Sequence, residues 1–462
     1  MARIQSTAAV ALIEPTGAGP AHRRLAEGIR TAIREGRLRA GDALPASRSL
    51  AVDLGFSRWV VNEAYQQLIA EGYLVARAGS ATRVASTVSR STPWSSGGES
   101  AAALPAGAVD LRPGLPDLAA FPRAAWSRAY TNAVRTLEPE QWRYPDPLGV
   151  GTLRSTVADY LRRVRGVDAA AERVVITAGT ADAMRQLGRL LAAKGSAGLA
   201  VEDPGWHALG AIAQFEGLAV QPVPVDSDGL VVDELPADSG AVLVTPAHQF
   251  PTGVTLSPAR RTQLLSWAAD IGGLVIEDDY DAEFRYGRRP IGALAGLDRD
   301  RVVYLGSVSK TLAPALRMGW LVAPAALLEP IGEVFAAYGR PALEQHALAT
   351  FITRGDYDRH LRHMRRQYQV RRDALITALQ RTLPSFEVAG VAAGLHLLIK
   401  LPDAAAETRA IQRLIESGIW TTPLCRYQRR PAEAGIVIGF ARLAPHQATR
   451  ISRRIAQALR ER

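Results

Sequence analysis

The chain hardly uses lysine, and the one it places most deliberately is the natural starting point for its chemistry. Of 55 basic residues only Lys194, Lys310 and Lys400 are lysine; the rest are arginine. Arginine stays charged and un-nucleophilic, whereas a lysine can shed its proton and form a Schiff base with an aldehyde. Lys310 stands in "GSVSKTLAPALRMGW", behind the hydroxyl residues Ser307 and Ser309 and ahead of Arg317, whose guanidinium suits a phosphate. "EDDYD" adds carboxylates and the Tyr280 phenol, and "TAGTADAM" sets Gly179 and Thr180 at a strand-to-helix turn. Backbone N–H groups and the helix dipole make such a turn an anion site. A lysine for an aldehyde, a carboxylate for a ring nitrogen, a phenol for a ring oxygen and a cradle for an anion together describe a pocket for pyridoxal 5'-phosphate.

These residues need a scaffold that brings them to one edge. "RVVIT" (173–177), "GLAVE" (198–202), "AVLVTP" (241–246), "GLVIEDD" (273–279) and "RVVYLGS" (301–307) are β-branched runs ending in small or polar residues. Helical stretches such as 181–194 and 258–271 lie between them. Strands alternating with helices give an α/β domain with a mostly parallel sheet covered on both faces. Its ligands sit at the carboxyl ends of the strands, where Lys310, "EDDYD" and Gly179 all fall.

The N-terminal part reads differently. "HRRLAEGIRTAIREG" spaces Leu25, Ile29 and Ile33 as one helix face and ends on Gly36. A second helix spans roughly 47–53, Gly55 turns the chain, and Ser57 is a natural N-cap for a third helix reaching about Glu71. Leu50, Val61, Tyr65 and Leu68 form the packed face, so Arg48, Arg58 and Trp59 face outward. Two short strands around Gly79-Ser80 follow, a basic hairpin. Helix–turn–helix plus hairpin is a winged helix, with arginines set against phosphates and base edges.

Composition agrees with a folded chain of two or three domains: 462 residues, 47% hydrophobic and 22% charged. The net charge of +10 permits an acidic partner such as nucleic acid. One cysteine, Cys425, excludes an internal disulfide framework and suits a reducing compartment. No apolar run approaches the ~18–20 residues that span a bilayer, and "AAVALI" makes a poor signal peptide. A cytoplasmic location without membrane contact is expected, and no metal is expected. The stretch "STVSRSTPWSSGGESAAALPAGA" is rich in Ser, Gly, Ala and Pro and reads as a flexible linker.

The head resembles the winged-helix domain of GntR-type bacterial repressors, in "G-R-L-x-x-G-D-x-L-P-x-S-R-x-L-A" and "S-R-x-x-V-x-x-A-Y-x-x-L-x-x-E-G-Y". That resemblance implies Arg48 and Arg58 as the DNA-contacting pair and Arg77 and Gly79 as part of the wing. Trp59 and Val60 stand where the family usually has a small polar pair. Residues from about 109 onward resemble a type I aminotransferase domain. "TPAHQFPTG", "IEDDYDAEFRY" and "VSKTLAPALRMGW" resemble the MocR-type regulators, in which such a domain is fused to a GntR head. The resemblance implies a winged helix-turn-helix over 18–86, a linker over 87–108, and an effector domain over 109–462. It further implies a mostly parallel seven-stranded sheet with a small C-terminal α+β subdomain.

By the same resemblance Lys310 would be the Schiff-base lysine, Asp278 the partner of the pyridine nitrogen and Tyr280 that of the ring hydroxyl. Gly179, Thr180, Ser307, Ser309 and Arg317 would hold the phosphate. Trp206 stands where a tyrosine usually stacks on the ring. Tyr144 and Gly149 match a motif that in related folds reaches the neighbouring subunit's cofactor, which implies a homodimer. Two departures matter. Phe250 occupies the place of an asparagine that contacts the ring oxygen, with His248 and Gln249 near enough to substitute. The late strand "GIVIGF" lacks the arginine that clamps a substrate carboxylate, leaving Arg426, Arg429 and Arg430 as candidates. The expectation is a regulator that binds an operator in double-stranded DNA and senses an amine, an amino acid or pyridoxal phosphate itself. The alternatives are a working aminotransferase with an accessory DNA-binding head, or a cofactor-free dimerisation scaffold.

Overall fold

The computed structural model describes residues 13–16, 19–35, 37–76, 81–85, 104–105, 107–195, 198–287, 291–335, 340–385, 387–430 and 432–460. The chain divides into two compact units, Met1–Ala103 and Leu104–Arg462.

In the first unit, helices α1 (Ala21–Arg34), α2 (Ser47–Leu54) and α3 (Arg58–Ala70) precede strands β1 (Leu74–Val75) and β2 (Arg83–Val84). The apolar spacing decides the packing: Leu25, Ile29, Leu50, Val61 and Leu68 are all fully buried in one cluster. Each such side chain contributes ~1.5–3 kcal/mol, which a head this small needs. Gly55 closes α2 at φ +68, a left-handed conformation that glycine adopts without steric cost. The Ser57 hydroxyl then accepts from the Val60 N–H at 3.3 Å and starts α3. The Tyr65 hydroxyl donates to the buried Pro45 carbonyl at 2.8 Å, tying α3 to the segment before α2. β1 and β2 pair antiparallel, Leu74 opposite Val84. Gly36, Arg77, Gly79 and Ser80 lie outside the described residues.

In the second unit β3 (Val109–Asp110) leads into a large sheet of β4 (Val174–Thr177), β5 (Gly198–Asp203), β6 (Ala219–Asp226), β7 (Gly229–Leu230), β8 (Ser239–Val244), β9 (Leu274–Asp278), β10 (Val302–Ser307) and β11 (Gly319–Val322). The order is β4-β11-β10-β9-β8-β5-β6-β7. β6, β5, β8, β9 and β10 run parallel, and β11 is antiparallel to both β10 and β4. The expected seven strands are thus present, and the two-residue β7 extends the edge by folding back on β6. Alternate side chains go to opposite faces. Val175, Leu199, Leu243 and Ile276 pack with helices Thr180–Ala193 and His207–Phe215. Val174, Ile176, Val242 and Val275 pack with Gly151–Arg165 and Pro258–Ile271 on the other side. Covered on both faces, these strands are continuous apolar runs, which is what made them visible in sequence.

The smaller subdomain holds β12 (Val388–Ala389), β13 (His396–Leu401), β14 (Ile419–Trp420), β15 (Thr422–Pro423) and β16 (Ala434–Gly439). β12-β13-β16-β15 form an antiparallel sheet with helices Asp356–Thr382, Ala404–Glu416 and Ala448–Arg460. β14 pairs parallel with β3, so the entry of the unit is laid on its last third. Among the described residues no helix is long and apolar enough to cross a membrane.

Candidate functional site

A cavity of about 230 Å³ opens at the carboxyl ends of β8, β9 and β10. Lys310, three residues past β10, points its amine into it, and Nζ donates to the Gly114 carbonyl at 2.5 Å. Burial lowers the pKa of this amine below its ordinary 10.5, opposed by the carboxylates of Asp278 and Asp281. A nucleophilic lysine needs that shift, because only the unprotonated amine attacks an aldehyde.

Asp278 ends β9 and lines the same cavity. Its buried Oδ1 has no hydrogen-bond partner. Burial first, then the Asp279 carboxylate, pushes its pKa up to about 7, with Lys310 opposing. A buried carboxylate oxygen without a donor is an expensive vacancy in the bonding of a folded protein, and a protonated ring nitrogen would satisfy it. Asp279 points the other way, as strand alternation requires. It is gripped by Arg165 Nε at 2.6 Å and Nη2 at 3.2 Å and accepts from the Tyr304 hydroxyl at 2.6 Å.

Gly179, Thr180, Ser307, Ser309 and Arg317 converge at one end. Thr180 is the first residue of helix Thr180–Ala193, whose leading N–H groups lack intrahelical partners. Gly179 has φ +100, and a Cβ there would lie 3.8 Å from Arg317 Nη1. The Ser309 N–H donates to the Ser307 hydroxyl at 3.4 Å. Arg317 sits at φ +48, the one non-glycine residue with positive φ among those described. Such strain persists only where the surroundings impose it, and it gathers at binding sites.

At the other end Trp206, half exposed, meets Phe250 edge-on at 5.7 Å, and Phe250 meets Tyr280 edge-on at 6.2 Å. The Tyr280 hydroxyl lies 3.0 Å from His248 Nδ1. Burial first, then Asp281 and Asp278, holds the phenol well above its ordinary pKa, so it keeps its proton. His248 is buried behind Tyr280 rather than in the wall; its Nδ1 also lies 3.1 and 3.2 Å from the two Asp281 oxygens. Gln249 is buried deeper still, donating to the Pro204 and Phe250 carbonyls at 2.8 and 2.6 Å. Neither residue therefore replaces the missing asparagine by direct contact. Although no metal was expected, His248, Asp281 and His396 bring ligand atoms within 4.8 Å of one another.

The structure leaves some expected residues outside this cavity. Tyr144 is fully exposed and borders a separate hollow with Trp142, Arg340 and Pro341. Arg426, Arg429 and Arg430 do not line the cavity; the Arg429 and Arg430 N–H groups cap Asp203 at 2.8 and 3.0 Å. The Arg429 side chain reaches only a narrow cleft behind Trp206. Sequence reasoning missed Gly114, Thr245 and His396, which do line it. Thr245 directly follows β8 and His396 opens β13, positions that could have marked them.

In the first unit Arg48 lies exposed on α2, and Arg58 and Trp59 lie exposed at the start of α3. The opening turn of a recognition helix is the part that meets base edges. Arg77 and Gly79 of the wing fall outside the described residues.

A winged-helix unit joined to an effector unit with this lysine, carboxylate and anion cradle defines a pyridoxal-phosphate-dependent, aminotransferase-like DNA-binding regulator. Residues 122–449 match the family model "Aminotransferase class I and II", and residues 21–84 match "Bacterial regulatory proteins, gntR family". The chain is 36% identical over 424 residues to the HTH-type pyridoxine biosynthesis transcriptional regulator PdxR of Corynebacterium glutamicum, covering 90% of this chain and 91% of that one. It is 33% identical over 449 residues to the probable rhizopine catabolism regulatory protein MocR of Rhizobium meliloti, covering 92% and 91%. An archaeal alanine:glyoxylate aminotransferase superposes with a TM-score of 0.69 at 26% identity, covering 76% of this chain and 90% of that one. The chain belongs to the MocR/PdxR-type HTH transcriptional regulators, GntR-type heads fused to a class I/II aminotransferase domain.

Proposed function

We propose that this regulator takes pyridoxal 5'-phosphate itself as its signal, and that occupancy of the effector cavity sets the affinity of the winged helix for its operator. One observation carries the choice of signal. Arg317 is the only arginine in the cavity wall among the described residues, and it stands beside Gly179 and Thr180. A phosphate takes that guanidinium, and an amino-acid carboxylate finds no second one. The Corynebacterium glutamicum relative, named as a pyridoxine biosynthesis regulator, points in the same direction.

When bound, the cofactor supplies an aldehyde that condenses reversibly with a primary amine. Lys310 presents that amine, kept nucleophilic by burial. Asp278 accepts the ring N–H through Oδ1, and the Tyr280 hydroxyl donates toward the ring oxygen. Gly179, Thr180, Ser307, Ser309 and Arg317 hold the phosphate, while Trp206 and Phe250 wall off water. Tyr144 completes the neighbouring site in a homodimer. The working division is a head over 18–86, a linker over 87–108 and an effector domain over 109–462, acting in the cytoplasm. A signal shifts DNA affinity only as far as it prefers one arrangement; a tenfold change needs ~1.4 kcal/mol of preference.

A second reading, an amino-acid effector, draws support from Arg429, which shares the cleft behind Trp206 with Asp278. The two separate by experiment. The protein is titrated with pyridoxal 5'-phosphate, reduced with borohydride and mapped by peptide mass, and operator affinity is measured with the vitamer alone and with an amino-acid panel. A label on Lys310 with an operator response to the vitamer alone supports the proposal. A response that requires an amino acid moves the assignment to the second reading, and an unlabelled chain ends both.

A further inference from the structure

Asp281 and Tyr280, both in the cavity wall, form a hydrogen-bonded cluster with His248 behind them. His248 Nδ1 faces both Asp281 oxygens, at 3.1 and 3.2 Å, and the Tyr280 hydroxyl oxygen at 3.0 Å. An ionised carboxylate only accepts, so Nδ1 carries the proton and donates to Asp281. That single N–H is shared, so the Tyr280 oxygen takes only the minor part of a bifurcated bond. The phenol proton has two places to go: the neighbouring Asp281 carboxylate, already engaged by His248, or an acceptor in the cavity that Tyr280 lines.

The cluster is held rigidly. A Cβ on Gly394 would lie 2.0 Å from His248 Cε1 and 2.6 Å from Asp281 Oδ2, and one on Gly253 would lie 3.4 Å from His248 Nε2. Only bare backbone lets the imidazole sit so deep. The His396 ring lies tilted by 43° against it at 5.1 Å, with its Nε2–H donating to the Pro251 carbonyl at 3.1 Å. Burial, and then His248, pushes the His396 imidazole down to about 3, so it adds no charge to the cluster. Asp278, Glu202 and Lys310 are the other ionisable groups around it.

We propose that His248, fixed by Asp281, is a positioning residue that turns the Tyr280 hydroxyl into a hydrogen-bond donor for the ring oxygen of bound pyridoxal phosphate. It thereby does through the phenol what the asparagine absent at Phe250 does by contact in related enzymes. The inference rests on the pyridoxal phosphate reading above. The test is therefore run on full-length protein after the wild type has shown borohydride-fixable binding; failure at that stage sinks the earlier reading, not this one.

Four proteins are compared for vitamer dissociation constant and absorbance maximum of the bound chromophore: wild type, Tyr280→Phe, His248→Phe and the double variant. Loss of one aligned hydrogen bond weakens binding about tenfold. Tyr280→Phe and His248→Phe are each expected to show that loss and to move the absorbance maximum in the same direction. The double variant is expected to match Tyr280→Phe alone. His248→Asn, whose amide nitrogen replaces Nδ1, should restore the wild-type maximum. A His248→Phe effect that persists in full on the Tyr280→Phe background overturns the proposal, as does failure of His248→Asn to restore the spectrum. Stoichiometric metal in the wild type that disappears in His248→Phe would overturn it too, by making the three buried side chains a metal site. If His248→Phe does not fold, the isosteric Asp281→Asn carries the same comparison.

Discussion

Replacing Asp278 by asparagine should stabilise the empty protein and weaken the loaded one, with a pH dependence fixed by the buried carboxylate. Burial raises its pKa from 3.8 to about 7. A carboxyl group whose folded pKa lies above its unfolded value contributes stability that is complete below 3.8 and is lost as pH climbs through 7. At about 1.36 kcal/mol per pKa step the full penalty has a ceiling of ~4 kcal/mol, reached above pH ~8. The amide cannot ionise and escapes that penalty. Thermal unfolding of cofactor-free wild type and Asp278→Asn between pH 5 and 8 is expected to show the wild type falling progressively behind. The difference reports Asp278 together with its coupling to Glu202, a neighbouring carboxyl group that burial also pushes up to about 7. Saturating pyridoxal phosphate should reverse the order at pH 8, because the wild-type carboxylate then has its cationic partner. Losing that charge-assisted bond should raise the dissociation constant of Asp278→Asn about 10- to 100-fold. A wild-type-minus-variant difference that stays constant across this pH range would refute the reasoning.

Lys310→Ala should abolish the borohydride-fixed label while the far-ultraviolet circular dichroism spectrum stays unchanged, since the amine's visible partner is only the Gly114 carbonyl. Arg58→Ala should weaken operator binding by ~1–3 kcal/mol if it pairs with a base, and Arg48→Ala should reduce the salt slope by about one if it meets a phosphate; gel-shift titrations at several salt concentrations check both. Tyr65→Phe leaves the buried Pro45 carbonyl without its donor and should cost the winged-helix unit ~1–3 kcal/mol in urea unfolding.

Much of the scaffold was legible because its strands are covered on both faces. Runs such as "RVVYLGS" and "GLVIEDD" announce buried strands, and their ends place Lys310 and Asp278 on one edge. The α2–Gly55–Ser57–α3 turn was legible because a left-handed glycine and an N-cap serine have local physical causes. What escaped depends on long-range closure. Gly114 meets Lys310 across 196 positions, and no local pattern signals that approach. β6 is largely half-buried and carries two prolines, so it does not show the apolar run of a central strand, whereas β11 is a short, fully buried apolar run that is absorbed into the motif around Arg317. His248 stands near the ring-oxygen end but behind Tyr280 rather than in the wall, and spacing on an irregular turn does not by itself give the direction of a side chain. Tyr144 matched a motif, yet it faces solvent in the single chain.

Operator affinity of the full-length protein, measured by fluorescence anisotropy with and without saturating pyridoxal 5'-phosphate, in wild type and Lys310→Ala, tests the central claim most directly. The account expects at least a tenfold change in the wild type, ~1.4 kcal/mol of coupling, and none in the variant. Equal affinities in all four measurements, or a full response that survives without the lysine, would contradict it.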